Sequence, residues 1–218
     1  MSLRKISFVK GEYYHIYNRG NSKQRIFRDK NDYVRFIGLL FACNSSENFK
    51  IDNLNKKESL LNFPRGKQIV YIGAYCLMPN HFHILITDAG EGNVSKFMQK
   101  LITAYVMYFN KKYQRTGSLF EGKFKAEYAS SDRYLKYLFS YIHLNPIKLI
   151  ESKWKKVGIQ NKPKVLKFLE QYQYSSYLDY LGIERYEKII IGRNYFPEYF
   201  PSKNYFQREI FEWINFLR

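Results

Sequence analysis

Two of the four histidines of this 218-residue chain, His81 and His83, are separated by a single residue in the stretch "MPNHFHILIT" (78–87). The apolar residues around them predict a strand, and alternate residues of a strand face the same side of a sheet. The two imidazoles therefore project together, while Phe82 points to the opposite face. Such a pair can chelate a divalent cation, although two histidines hydrogen-bonded at a sheet edge is the simpler interpretation. A metal site needs a third protein ligand from another element.

A helix predicted over 133–145, "RYLKYLFSYIHLN", offers that ligand. At about 100° per residue, Tyr141 and Asn145 lie one turn apart on the flank of this helix. A flank is where a core helix can present polar groups to a neighbouring strand. The same spacing assigns a core face to Leu135, Leu138, Phe139 and Ile142, and a solvent face to Lys136, Ser140 and His143.

A phenol and an amide oxygen facing two imidazoles form a constellation suited to phosphoryl transfer. A metal held by His81, His83 and Asn145 can act as a Lewis acid on a phosphoryl oxygen. Tyr141 can then be the nucleophile, forming a covalent phosphotyrosine. Because the chain has 21 tyrosines, spacing alone leaves other nucleophiles open: Tyr105, Tyr108 and Tyr137.

Composition favours a nucleic-acid partner. The chain carries 36 Lys and Arg against 19 Asp and Glu, a formal charge of +17, and 19% of its residues are aromatic. Cations neutralise phosphates and aromatic rings stack on unpaired bases, so this balance favours a polyanion with bases over an acidic protein partner.

Other features indicate a cytoplasmic protein without a membrane partner. The first residues lack an apolar signal core, and no run approaches the roughly 18 apolar residues of a spanning helix. The only cysteines, Cys43 and Cys76, are too few for a disulfide framework or a zinc cluster, and we expect both to be inert thiols.

The pattern of elements predicts an α+β fold. Strands are expected over 12–20, 68–78 and 81–87 and after the turn at 114–117, with helices over 29–43, 93–113 and 133–145. The order β-α-β-β-α-β-α indicates a ferredoxin-like sandwich, an antiparallel sheet with helices on one face, to which the Tyr141 helix is added. Residues 1–150 would form a catalytic domain with a loop or insertion at about 44–67. Residues 151–218 form an aromatic and basic C-terminal extension, either a small subdomain or an arm across the core.

Four ordered blocks carry a family resemblance: "YHIYNRGNSKQRIF" (14–27), "YCLMPNHFHILI" (75–86), "FNKKYQRTGSLFEGKFK" (109–125) and "YLFSYIHLNPIK" (137–148). Together they resemble the HUH single-tyrosine transposases, specifically the REP-associated tyrosine transposase branch. The resemblance spans about 13–150, and "YSSYLDYLG" (174–182) is similar to a further family segment. The 44–67 insertion and the tail beyond about 183 match no segment of the family.

The resemblance implies roles for the four site residues. His81 and His83 would be metal ligands, Tyr141 the nucleophile, and Asn145 the third ligand, at a position where related transposases often have Gln. It implies Mg²⁺ or Mn²⁺, although imidazoles by themselves favour softer metals. It also implies a single-stranded DNA substrate, often with a hairpin, cleaved to a 5′-phosphotyrosine and a free 3′-OH that can rejoin strands.

Basic clusters are the candidate DNA contacts: Arg19 in "YNRGN", Lys111, Lys112 and Arg115 near the end of the second helix, and Lys123 and Lys125 on the following strand. Each cluster is equally typical of a solvated charged face, and Arg19 could instead organise the turn at Gly20. Two other functions stay open, a rolling-circle nickase and a non-catalytic nucleic-acid-binding protein. A monomer and a homodimer, with the site completed within one chain or by a partner, are both compatible with the sequence.

Overall fold

The computed structural model describes residues 7–47 and 60–212 and contains a four-stranded antiparallel sheet. The strands are β1 (Tyr13–Arg19), β2 (Val70–Met78), β3 (His81–Asp88) and β4 (Lys125–Tyr128), in the order β2-β3-β1-β4. Helix α1 (Lys30–Ala42) joins β1 to β2, α2 (Asn93–Lys112) joins β3 to β4, and α3 (Asp132–Leu144) follows β4. This is the ferredoxin-like order, so the α+β prediction is confirmed.

Local signals in the sequence set the boundaries of these elements. Asp29 and Asp32 form a reciprocal capping box at the start of α1, and the Ser131 side chain accepts a hydrogen bond from the first turn of α3. The hairpin turn between β2 and β3 is held from outside, because the Pro79 carbonyl accepts from the backbone of Ile26 and Phe27. The last strand is shorter than predicted, since residues before Lys125 run irregularly through Gly117 and Gly122, both at positive φ.

The sheet is covered on both faces because its residues alternate between two cores. Phe82, Ile84 and Ile86 of β3 join the core built with α1 and α2. The other face, including Cys76 of β2 and Leu85 of β3, packs against α3. The first two helices therefore share one face as predicted, and the Tyr141 helix occupies the opposite one.

The C-terminal extension packs across the core beside α3. It contains α4 (Trp154–Val157), α5 (Lys162–Gln171), α6 (Tyr177–Tyr180) and α7 (Lys203–Glu212). Its segment before α6 runs along β2, where Leu77 N donates to Tyr174 O at 2.9 Å and Ser176 N donates to Tyr75 O at 3.0 Å. Aromatic residues of the extension complete the second core: Trp154, Tyr172, Tyr177, Tyr180, Phe200 and Phe206.

One face of α3 that was expected in solvent is covered by the protein. The predicted core positions are buried, but Ser140 and His143, expected in solvent, are buried as well. Lys136, on the same face, forms an ion pair with Glu209 of α7. His143 Nε2 lies 2.7 Å from Ser176 Oγ. The helical pattern gave a solvent face because nothing within 133–145 shows that the extension covers it.

Buried His143 makes stability sensitive to acid. Burial lowers the pKa of His143 to about 3, whereas an unfolded histidine titrates near 6.5. Between these values the unfolded chain binds a proton that the folded chain does not, so the free energy of unfolding falls as pH drops, by about 2 kcal/mol at pH 5. We expect His143→Gln to lose less stability than the wild type between pH 7 and pH 5 in urea titrations. Equal losses in the two proteins would contradict this assignment.

Both cysteines are buried and unpaired. Burial raises the pKa of the Cys43 thiol to about 12 and that of Cys76 still further, as expected of unreactive thiols. No helix in the described ranges, 7–47 and 60–212, is long and apolar enough to cross a membrane. The central part of the predicted 44–67 insertion, residues 48–59, lies outside the described residues.

Candidate active site

A cavity of about 580 Å³ opens between β1, β3, α3 and α4. The four residues predicted to carry chemistry, His81, His83, Tyr141 and Asn145, all line it. Six cationic side chains surround them: Arg19, Lys23, Lys123, Lys125, Lys148 and Lys155. The fold thus places the histidines of β3 and the flank of α3 around one cavity. The six cationic side chains form its basic rim.

Each histidine of the pair has its Nδ1 nitrogen held by the protein. His81 Nδ1 lies 2.7 Å from Asn80 Oδ1, and because a carbonyl oxygen only accepts, Nδ1 carries the proton and Nε2 a lone pair. His83 Nδ1 lies 2.8 Å from Nε2 of a third histidine, His15 of β1. Among residues 7–47 and 60–212, no hydrogen-bond partner is found for Nε2 of either His81 or His83.

Both rings are in the neutral form that binds metals. Burial lowers the pKa of His81 to about 4, and the charges of Lys148, Lys155 and Arg19 act in the same direction. Burial lowers the pKa of His83 well below its usual range, again with neighbouring positive charge contributing. At neutral pH neither ring carries the second proton that would have to leave before a metal could bind.

Tyr141 projects from the flank of α3, as predicted, and meets the histidines edge-on. Its ring centroid lies 5.4 Å from that of His83 and 5.6 Å from that of His15. Burial raises the pKa of the Tyr141 phenol, and the Asn145 amide opposes that rise. The Lys155 ammonium lies 4.0 Å from the centre of the Tyr141 ring, which places a positive charge beside the phenol.

Asn145 is positioned by the tyrosine helix itself. Its Nδ2 donates to the backbone carbonyl of Tyr141 at 2.9 Å. This bond fixes the plane of the amide and leaves Oδ1 as an acceptor beside the cavity. The predicted pairing of Tyr141 and Asn145 one turn apart is therefore what the structure contains.

The potential ligand atoms at the cavity fit a divalent cation that binds only a few protein groups. In the described ranges, no group of three or more His, Cys, Asp or Glu side chains is arranged to hold a metal ion. Besides the two imidazoles, Asn145 brings an amide oxygen, Oδ1, to the same cavity. Two neutral imidazoles with restrained Nδ1 atoms and one oriented amide oxygen suit a cation that completes its shell with water or phosphate oxygens.

Most other candidate tyrosines are engaged away from the cavity. On the opposite face of the sheet, the Tyr105 hydroxyl donates to Ile26 O and the Tyr108 hydroxyl to Asp32. Tyr137 is buried in the second core. Tyr17 of β1, which the sequence motifs did not single out, does line the cavity, but its hydroxyl donates to Glu127 Oε1 at 2.8 Å. Burial and Glu127 raise the pKa of Tyr17 to about 12.

The predicted DNA contacts divide into two groups. Arg19, Lys123 and Lys125 line the cavity, where Arg19 makes two 2.9 Å hydrogen bonds to Glu121. The other three, Lys111, Lys112 and Arg115, lie at and beyond the end of α2 and do not line it. Lys112 is held in ion pairs with Asp29 and Asp32, which gives it a structural role, and DNA contact by this second group stays a prediction.

A family model describing IS200-like transposases matches residues 8–145. The chain belongs to this transposase family. A solved structure described as a REP-associated tyrosine transposase bound to a REP hairpin has the same fold as this IS200-like transposase, with a TM-score of 0.52 and 11% identity over 86% of this chain and 90% of that one. No curated protein matches the chain significantly in sequence.

Among the residues of this IS200-like transposase that the motifs did not single out, His15 and Tyr17 contact the His83 ring and Lys155 contacts the Tyr141 ring. His15 and Tyr17 alternate along β1, and a ferredoxin-like order places β1 beside β3, so sequence periodicity could have found them. Lys155 had no comparable signal. It lies in a four-residue helix beyond the end of the family match.

Proposed function

We propose that this IS200-like transposase cleaves and rejoins single-stranded DNA through a 5′-phosphotyrosine on Tyr141, in a reaction dependent on Mg²⁺ or Mn²⁺. The observation that supports this proposal is that Tyr141 lines one cavity with two neutral imidazoles whose Nε2 atoms have no hydrogen-bond partner among the described residues. A phenol surrounded by cations suits attack on a phosphodiester, because the transferred group and the leaving oxygen are both negative.

The proposed step exchanges one bond at phosphorus for another. Tyr141 Oη attacks phosphorus, so the Oη–P bond forms as the bond between phosphorus and the 3′ oxygen breaks. The phenol loses its proton and the departing 3′ oxygen gains one, and the reverse reaction rejoins a strand. A divalent cation held by His81, His83 and Asn145 would supply Lewis-acid stabilisation of the charge on the phosphoryl oxygens.

The basic rim supports a DNA strand as the substrate. Lys123, Lys125 and Lys148 can neutralise phosphates on either side of the scissile bond. A phosphodiester has to reach Tyr141 inside the cavity, which favours a single flexible strand over a duplex. A hairpin next to the cleaved strand is proposed by analogy with the solved transposase that shares the fold, which is bound to a REP hairpin.

End-labelled DNA tests this function. Hairpin-containing single strands are incubated with the protein and Mn²⁺, and products are separated on denaturing gels. A 5′-phosphotyrosine attaches the downstream fragment, so a 3′-end label should move with the protein while a 5′-end label leaves on a fragment with a free 3′-OH. Attachment of the 5′-labelled fragment, or no attachment with any hairpin strand, would refute the proposal.

Lys155 gives a further prediction at this site. Its ammonium lies 4.0 Å from the centre of the Tyr141 ring, and we expect this charge to stabilise the phenolate as attacker and as leaving group. We expect Lys155→Met to slow adduct formation by about 10- to 100-fold, the equivalent of one charge-assisted contact, with Lys155→Arg much less affected. Lys156→Met is the matched control, because Lys156 is an exposed neighbour on the same short helix that does not line the cavity. Equal rates for the Lys155→Met and Lys156→Met variants would exclude a special role for Lys155.

A further inference from the structure

Behind His83 lies a chain of polar groups that the proposed reaction does not use. His15 is buried, its Nε2 lies 2.8 Å from His83 Nδ1, and its Nδ1 lies 3.7 Å from Glu127 Oε2. The strand register produces this line, because His15 is opposite Glu127 across β1 and β4, and Tyr17 is opposite His83 across β1 and β3. Side chains diagonal to one another on one sheet face are within reach.

A hydrogen bond between two neutral imidazoles has two possible arrangements. In the first, His83 Nδ1–H donates to His15 Nε2, which leaves a lone pair on His83 Nε2 and a proton on His15 Nδ1. In the second, His15 Nε2–H donates to His83 Nδ1, so His83 carries its proton on Nε2 and cannot bind a metal there. Each neutral ring has one donor and one acceptor nitrogen, so the two choices are linked.

Glu127 favours the first arrangement. In that arrangement the proton of His15 Nδ1 faces the carboxylate, whereas in the second a lone pair faces it. The 3.7 Å between His15 Nδ1 and Glu127 Oε2 exceeds a normal hydrogen-bond length. At this distance the carboxylate still attracts the Nδ1 proton of the first arrangement and repels the Nδ1 lone pair of the second. Tyr17 holds Glu127 Oε1 at 2.8 Å and Tyr134 holds Oε2 at 3.3 Å, so the carboxylate is fixed in place. The neighbouring His15 ring and the Tyr17 hydroxyl lower the pKa of Glu127 to about 2.

We propose that Glu127 and His15 are positioning residues that hold His83 in its Nδ1–H form, so that Nε2 stays available to a divalent cation. Asn80 does the same for His81 through its side-chain oxygen. Metal-binding histidines usually donate their other N–H to an acceptor, and here the acceptor is a second imidazole backed by a carboxylate. The cation rests on the proposed function, whereas the position of the proton is a property of the protein alone.

Nitrogen NMR of the metal-free protein tests the proton positions directly. Long-range ¹H–¹⁵N correlations distinguish the protonated from the bare nitrogen of each neutral ring. At pH 7.5 we expect His83 and His15 both to be protonated on Nδ1 and bare on Nε2. Finding the His83 proton on Nε2 would overturn the proposal, whatever the protein does with metal or DNA.

Mn²⁺ affinity, measured by the loss of free-ion EPR signal, tests the consequence. Loss of an outer-shell partner typically weakens metal binding by about 10- to 100-fold, and we expect this for Glu127→Ala and His15→Leu. His15→Gln should recover most of the affinity, because its side-chain oxygen can accept from His83 Nδ1–H. Glu12→Ala is the matched control, since Glu12 is a nearby carboxylate that accepts from Tyr128 at 2.7 Å without touching a histidine.

The two measurements separate failure of the inference from failure of the proposed function. Glu127→Ala binding Mn²⁺ as tightly as Glu12→Ala, or His15→Gln as weak as His15→Leu, would remove the positioning role while leaving the metal site intact. A wild-type protein that binds no Mn²⁺ but shows the expected protons would refute the metal dependence and leave the proton assignment standing.

Discussion

Phenylalanine in place of Tyr141 is expected to abolish the covalent protein–DNA adduct, reducing its rate of formation by at least about 1,000-fold. Removal of a nucleophile costs this much or more, and the second phenol of the cavity, Tyr17, has its hydroxyl bonded to Glu127 and its pKa raised to about 12. The substitution removes one hydroxyl from a half-buried ring, so folding and DNA affinity should stay within about twofold of the wild type, since the basic rim supplies the phosphate contacts. Adduct yield on denaturing gels and binding by fluorescence anisotropy measure the two effects.

Two other tyrosines provide the controls for this result. Tyr137→Phe removes a hydroxyl one turn earlier on the same helix, outside the cavity lining, and should form the adduct at close to the wild-type rate. Tyr17→Phe removes the second phenol of the cavity and should still form it, with the linkage mapped by peptide mass spectrometry to Tyr141. An adduct from Tyr141→Phe together with none from Tyr17→Phe would transfer the nucleophile to β1.

Loss of either cavity histidine is the second large effect. His81→Ala and His83→Ala each remove one of the two imidazoles with an available Nε2, and one remaining imidazole with an amide oxygen is a poor site for a divalent ion. We expect Mn²⁺ affinity to fall by at least about 100-fold and the adduct to fall with it. His81→Ala is the cleaner test, because His83→Ala also leaves His15 without its hydrogen-bond partner.

Metal chelation gives the complementary observation. EDTA should reduce the wild type to the level of the histidine variants, and added Mn²⁺ should rescue the wild type but not the variants at equal concentration. His143→Gln serves as the histidine control, because His143 lies on the far side of α3 against Ser176. Adduct formation at an undiminished rate in His81→Ala with EDTA present would exclude a metal at this pair.

Much of the site could be predicted because its signals are local. Two histidines two residues apart on a strand must share a face, and a tyrosine four residues before an asparagine on a helix must share a flank. The ferredoxin-like order followed from the alternation of strand and helix patterns. Bringing the two elements together required only that α3 pack on the sheet, which its apolar stripe predicts.

The wrong and the missing predictions concern residues whose surroundings come from distant parts of the chain. The buried face of α3 with His143 and Ser140 looked polar enough for solvent, because its partners come from residues 175–210 of the chain. His15 was an unremarkable strand residue until the register placed it diagonally behind His83. Lys155 depends on the path of the chain after α3, which neither periodicity nor motif spacing describes.

The tyrosine helix packs on the sheet of its own chain, and Tyr141 is the one nucleophile that we propose for it. Under the proposed reaction, such a chain can hold one severed strand at a time. Excising a DNA segment produces two junctions, each of which has to be opened and resealed. The stoichiometry then leaves two routes: two protein molecules acting together, one per junction, or one molecule that completes a round at the first junction before it turns to the second.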